Sequence, residues 1–280
     1  MRKLEEALFK GLMMASVTLV LGILAGIILV IVLRGASSLS LSMLIEIPKG
    51  GYYLGKGGGI ANAIVGSLYL AFGASLLSFL FGLPIAFALQ KEYLGKPLAR
   101  LTRLSLDILW GTPSIVYGAF GFIIMVYFGF GASLLGGIIA LALLMLPIMT
   151  RSIEEVIRMI PPELKESSYA LGTTRIETTL SVIFRQALPG IVTGILLAFG
   201  RAIGDAASIL FTAGYTDYIP RSLFDPVASL PLAVFFQVAT PIPEVQGRAY
   251  ASALVLLVIV LLVSLASRWL SRRFSKHILK

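Results

Sequence analysis

Cysteine is absent from the 280 residues, and histidine occurs once, at position 277. Disulfides and thiol nucleophiles are thereby excluded, and no Cys/His set remains from which to build a metal site. Charge is scarce as well. Asp, Glu, Lys and Arg make up 13% of the chain and hydrophobic residues 58%, whereas soluble domains carry roughly twice that charge fraction. There is also no H-E-x-x-H, no pair of membrane aspartates and no Ser–His couple, because the lone histidine lies in a basic tail. Intramembrane enzyme chemistry therefore lacks its usual groups, and the chain reads as a non-enzyme.

Long apolar runs take the place of charge. The run from Leu12 to Leu33 would extend about 33 Å as a helix, enough to cross a bilayer. It is too long for the apolar region of a signal peptide and lacks a small-x-small cleavage site, so 11–33 is expected to be a retained first span. Five more are expected at about 60–89, 104–129, 132–150, 187–212 and 249–270. The fold class is all-α: a polytopic membrane protein with six transmembrane helices, one domain over 1–280 and core spans over 60–270.

The formal net charge is +9. Its Lys and Arg fall in short clusters between apolar runs, not on one exposed face beside aromatics, so topology accounts for them and nucleic acid does not. With both termini in the cytoplasm, 17 lie inside, including Lys91, Lys96, Arg103, Arg151, Arg158, Lys165 and Arg175. Five lie outside: Arg34, Lys49, Lys56, Arg221 and Arg248. The positive-inside bias favours that orientation.

Two connections stand out. Outside, "SLPLAVFFQVA" (229–239) is apolar but too short to span, as expected of a re-entrant or interfacial piece against the outer ends of the bundle. Inside, the polar connection 151–186 is unusually long for a compact bundle. It contains "PPELKESSYALG". Pro161 and Pro162 end the preceding helix, a short helix runs from Glu163 to Leu171, and Gly172 is its left-handed terminator. Leu164, Ser168 and Leu171 share one face of that helix. It suits either a helix resting on the membrane surface or a docking knob for a cytoplasmic partner. By contrast, "GGYYLGKG" (50–57) has P-loop spacing only by accident. Gly57 stands where Ser or Thr would hold magnesium, and no strand precedes it. ATP, if used, belongs to another chain.

Two stretches carry candidate path residues. "WGTPSIVYGAFGF" (110–122) interrupts a span with Gly111, Pro113, Gly118 and Gly121, either for close helix packing or to free backbone groups for a substrate around Thr112 and Ser114. "LLAFGRAIGDAASILF" (196–211) carries Arg201 and Asp205 deep in a span. Each such charge costs about 2.5–3.5 kcal/mol on insertion scales, so neither is expected to face lipid. Their i, i+4 spacing permits a self-neutralising packing clamp. Alternatively, Arg201 lines an anion path and Asp205 holds it in place.

The cytoplasmic connection resembles the integral-membrane permeases of ABC importers, whose signature is E-A-A-x3-G-x9-I-x-L-P. Glu166, Ser167, Ser168 and Gly172 match its first part, while Val182, Phe184 and Arg185 replace Ile, Leu and Pro. "NAIVGSLYL", "PSIVYG", "GRAIG" followed by Asp205, and "LFTAG" further resemble phosphate-importer permeases of the PstA type, which carry Glu where this chain has Asp205. The resemblance implies an ABC type I importer permease fold in the cytoplasmic membrane. Glu166, Ser167, Ser168 and Gly172 would then couple to the ATPase. Implied partners are a second, PstC-like permease, two ATPase subunits holding ATP and magnesium, and an external phosphate-binding protein; this chain itself needs no cofactor. Alternatives are transport of molybdate, tungstate or sulfate, or a self-sufficient channel or carrier.

Overall fold

The computed structural model describes residues 2–274, so Lys276, His277 and Lys280 lie outside the described residues. In chain order the helices are α1 (Arg2–Ser38), α2 (Leu41–Ile45), a 3-10 turn (Tyr52–Leu54), α3 (Ala61–Ala88), α4 (Lys96–Gly111), α5 (Ser114–Tyr127) and α6 (Leu134–Arg158). There follow α7 (Pro162–Ala170), α8 (Arg175–Thr178), a π turn (Thr179–Ile183), α9 (Phe184–Ile203), α10 (Leu230–Val238) and α11 (Pro243–Phe274). Helices α1, α3, α6, α8–α9 and α11 are each long and apolar enough to cross a membrane. The third expected span is not one straight helix over 104–129: α4 and α5 meet at 99°.

Small residues set the core. Leu70, Ala71 and Ala74 of α3 pack with Leu141, Met145 and Met149 of α6, and Ala187, Ile191, Ala198 and Ala202 of α9 complete the cluster. A Cβ on Gly137 would stand 2.6 Å from Leu70 Cδ2, so glycine is what allows α6 to approach α3. Close approach through small residues is how helices pack where lipid removes the hydrophobic drive between them. Helix α1 stands apart from this core. Its apolar segment buries nothing against the rest, and it meets α11 near its C-terminal end, where Gly35 packs on Tyr250 and Leu254.

Loops assigned to opposite sides of the membrane gather at opposite ends of the bundle. At one end Lys165 pairs with Glu92 at 3.0 Å, and Tyr93 Oη donates to the Arg175 carbonyl at 2.9 Å. At the other, Tyr53 Oη donates to Asp217 at 2.8 Å and Arg248 reaches the carbonyls of Tyr52, Gly55 and Lys56.

Two boundaries near the sites differ from the sequence reading. Helix α6 runs on to Arg158 and the next crossing helix starts at Arg175, which leaves a shorter connection than 151–186. The start is fixed by a capping box, in which Thr174 accepts from the Glu177 amide while Glu177 accepts from Thr174. Helix α9 ends at Ile203, not near 212: the Asp205 amide turns back three residues to the Ala202 carbonyl at 3.2 Å, and the Asp205 carboxylate caps the next turn by accepting from the Ser208 amide at 2.9 Å. The non-helical stretch that follows is held by α6: the Ser133, Leu134 and Leu135 amides donate to the carbonyls of Thr212, Asp225 and Leu223. As expected, α10 lies against the outer ends of α3 and α11, clustered with Met43, Tyr52, Ile60, Ala63 and Ala251, and it is buried there. Leu230, Leu232 and Ala233 are fully buried, and the Leu230 amide donates to Ser67 Oγ at 2.8 Å.

Candidate functional site

The α4–α5 break is built by Thr112 and Pro113. Proline drives the residue before it out of the helical region, and Thr112 lies at φ −75°, ψ 127°. Pro113 has no amide to give the Leu109 carbonyl, which instead accepts from the Thr112 amide at 3.1 Å and from Tyr117 Oη at 2.7 Å. Helix α5 starts at Ser114 with no side-chain cap. Its N-terminus therefore presents free amides and the positive end of the helix dipole.

That N-terminus opens into a cavity of about 530 Å³, whose lining includes Trp110, Thr112, Ser114, Leu144, Ile148 and Arg201. Three of the four residues expected on the path are thus brought to one cavity. Asp205, the fourth, stands behind Arg201. Thr112 Oγ1 is turned back to the Ile108 carbonyl at 2.8 Å, so its oxygen can still accept from a ligand while its proton stays within α4. The other glycines have a different job: a Cβ on Gly118 would meet the Ser208 and Ala207 carbonyl oxygens at 2.7 and 2.8 Å, and one on Gly121 would meet Thr212 Cγ2 at 3.1 Å. Gly118 and Gly121 serve packing, whereas Pro113 makes the break.

Arg201 occupies the last turn of α9, where the negative end of the helix dipole favours a cation. Its nearest acid is Asp205, with Nη2 to Oδ2 at 3.9 Å, and its side chain is 55% exposed against 5% for Asp205. The other Asp205 oxygen is well satisfied, accepting from the Ser208 amide at 2.9 Å and from Ser208 Oγ at 2.8 Å. Asp205 caps the turn that follows α9 and Arg201 stays open to the cavity.

At the other candidate site, α7 carries Pro162 in its first turn and ends on Gly172 at φ +84°. Glu166 and Ser167 are exposed, and Leu171 is 85% exposed. Ser168 is not: its hydroxyl is buried in a triangle with Thr173 Oγ1 at 2.7 Å and Thr178 Oγ1 at 3.0 Å. Leu164, Ser168 and Leu171 therefore do not act as one presented face. Ser168 pins α7 to α8 while Leu171 projects. Lys165 ties α7 to Glu92 of the α3–α4 turn. Burial would push the Glu92 carboxyl up, but hydrogen bonding to Lys165 and the charges of Lys165 and Arg175 outweigh it and hold the group below the usual range.

One charged centre escaped the sequence reading. Glu154 of α6, 1% exposed, accepts from Arg103 Nε of α4 at 2.9 Å, Arg158 Nη2 at 2.7 Å and Arg151 Nη1 at 3.2 Å, and Arg151 also pairs with Asp107. In the sequence these arginines read only as topology signals. The i, i+3 and i, i+4 spacing of Arg151, Glu154 and Arg158 was the available clue.

Comparison with known proteins gives a family match over residues 78–276, to the binding-protein-dependent transport system inner membrane component. The probable ABC transporter permease protein YqgI of Bacillus subtilis is 31% identical, covering 99% of this chain and 98% of its own length. The phosphate transport system permease protein PstA of Yersinia pestis is 34% identical over 92% of this chain and 88% of its own. PstA of Mycobacterium leprae is 38% identical over 77% and 72%. Among solved structures, an inward-facing form of the MetNI methionine ABC transporter matches with a TM-score of 0.64 at 19% identity, over 77% of this chain and 95% of that one. An amino acid ABC transporter matches at 0.58 and 22%, over 76% and 93%. These likenesses show an ABC importer permease fold.

Proposed function

The chain belongs to the binding-protein-dependent transport system inner membrane components, and we propose that it is the permease subunit of an ATP-driven phosphate importer, providing half of the translocation path. The observation that carries the choice of path is the cavity at the α4–α5 break, where Arg201, Ser114 and the uncapped α5 N-terminus converge. A guanidinium and helix amides are the donors an oxyanion requires. Arg201 is also too exposed, and too far from Asp205, to be consumed by a packing clamp.

The family implies an ATPase and a substrate-binding partner; a PstC-like second permease, two ATPase subunits and an external phosphate-binding protein complete the proposal. The Lys and Arg asymmetry supports an orientation with both termini in the cytoplasm. ATP and magnesium on the partner supply the energy. Leu171, with Glu166 and Ser167, would form the knob they move. Motion passes through Lys165–Glu92 to the α3–α4 turn, along α4 past the Arg103–Glu154 contact, and reaches the Thr112–Pro113 break.

Uptake by the complete importer tests the path. Arg201→Gln abolishes phosphate uptake with membrane abundance retained, the Arg201→Gln, Asp205→Asn pair fails equally, and Arg201→Lys is intermediate because it keeps charge without the planar fork. Normal uptake by the double variant refutes the path role. Competition by molybdate, tungstate or sulfate, through the cognate binding protein, checks the choice of anion.

A further inference from the structure

A second cavity, of about 760 Å³, lies at the α7 end of the bundle, and the translocation path does not use it. Its lining brings together Lys91, Lys96, Arg103, Arg158 and Lys165 with one acid, Glu92. Glu92 is held by Lys165. Glu154, in contact with Arg103 and Arg158, is taken up by three arginines. Lys91 and Lys96 make no ion pair among the described residues. Five cations around one concavity, two of them unpaired, form a site of positive potential that an anion would neutralise.

Helix α4, which supplies Lys96 and Arg103 to the cavity, places it relative to the bilayer. Leu98, Leu101, Leu104 and Ile108 form an exposed apolar stripe, while Ala99 and Leu106 are buried against the bundle. Helix α4 runs antiparallel to α6, with Arg103 at Glu154, Asp107 at Arg151 and Trp110 in one cavity with Leu144 and Ile148, so it descends from Lys96 at the cytoplasmic end toward the break and turns its apolar stripe to the acyl chains. The mouth of the cavity is then at the depth of lipid phosphates, and basic pockets between the cytoplasmic ends of membrane helices bind anionic headgroups.

We propose that this cavity binds a phosphate group, carried by an anionic lipid of the cytoplasmic leaflet, and that its occupancy ties the α3–α4 turn to α7. The site does not depend on which anion the chain transports. Free inorganic phosphate offers the same chemistry, so the test separates the two sources.

The complete importer complex is placed in phosphatidylcholine nanodiscs at low phosphate, and phosphatidylglycerol or inorganic phosphate is then added. Native mass spectrometry reads retained lipid and thermal unfolding reads protection. Wild type retains phosphatidylglycerol and gains Tm. The exposed-residue variant Lys91→Gln, Lys96→Gln binds it at least tenfold more weakly, while Lys49→Gln, Lys56→Gln, with equal charge removed at the other end, is unchanged. Protection by inorganic phosphate alone, lost in the first variant, keeps the site and assigns it to the free ion. Equal retention and protection in wild type and both variants overturns the proposal. So does unchanged lipid binding with loss of the ATPase subunits from the Lys91, Lys96 variant, since those cations would then serve the partner protein.

Discussion

Substitution at Gly172 tests whether the backbone shape at the end of α7 carries the coupling. Gly172 sits at φ +84°, and a Cβ built there meets nothing within 4 Å, so a side chain costs conformational energy without collision. An L-residue in the left-handed region is worse by roughly 1–2 kcal/mol. Valine, being β-branched, suffers most, and asparagine tolerates the region best. Opposing that cost are the Gly172 amide to the Tyr169 carbonyl at 2.9 Å and the hydroxyl triangle of Ser168, Thr173 and Thr178. Each such bond contributes about 1 kcal/mol net, so the turn persists with a reduced margin. A shift of one to two kcal/mol changes a local equilibrium about 5–30-fold. In proteoliposomes holding the complete importer, Gly172→Val is expected to lower labelled phosphate uptake per ADP formed by about that factor, with membrane abundance unchanged. Gly172→Ala falls between, and Gly172→Asn stays near wild type. If valine and asparagine impair coupling equally, or valine leaves it intact, the left-handed turn is not what transmits ATPase closure.

Other outcomes follow from the same contacts. Glu92 is held below the usual carboxylate range, so its pairing contributes fully above the unfolded-state value and is lost as pH falls through the folded one. Glu92→Gln should flatten the acid limb of Tm against pH, and an unchanged limb refutes the pairing. Gly118→Ala forces a Cβ to 2.7 Å from the Ser208 carbonyl and should destabilise by about 1–3 kcal/mol, whereas Gly111→Ala, with nothing within 4 Å, should be nearly neutral. Equal Tm values for the two would refute that packing argument. Tyr218→Cys should react with an impermeant thiol reagent on intact cells and Leu171→Cys only after permeabilisation, both side chains being exposed; the reverse pattern inverts the topology.

What the sequence revealed depended on whether a signal was local. Proline and glycine act on their own backbone, so Pro162 and Gly172 bracketed α7 to within a residue, and Pro113 marked the break. Hydropathy finds apolar runs but not where a helix stops inside one. The run through 212 continues past Ile203, yet the helix closes with the Asp205 amide on Ala202 and Asp205 starts a new turn by capping Ser208. The 99° bend was likewise beyond reach, because a proline announces a break without setting its angle. Ser168 shows a third limit. Its place on α7 was clear, but its burial depends on Thr178, ten residues on and in another helix. The capping box of Thr174 and Glu177 is legible as S/T-x-x-E, but the long polar connection around it reads as loop.

The placement of Arg201 follows from two helix ends facing one cavity. A central arginine in a span costs about 2.5–3.5 kcal/mol on insertion scales. The C-terminus of α9 returns about 0.3–1 kcal/mol, up to about 2 in partly buried geometry, and Asp205 at 3.9 Å adds only a long contact. The offset is incomplete, and the guanidinium remains open toward the uncapped N-terminus of α5. An oxyanion between them would meet a cation and the positive end of a helix dipole together. A clamp would have closed Arg201 onto Asp205; instead Asp205 gives one oxygen to Ser208 and leaves the arginine partly uncompensated. On the proposed path that residual charge is what a passing phosphate neutralises, and without a tight cage around it the anion can leave again.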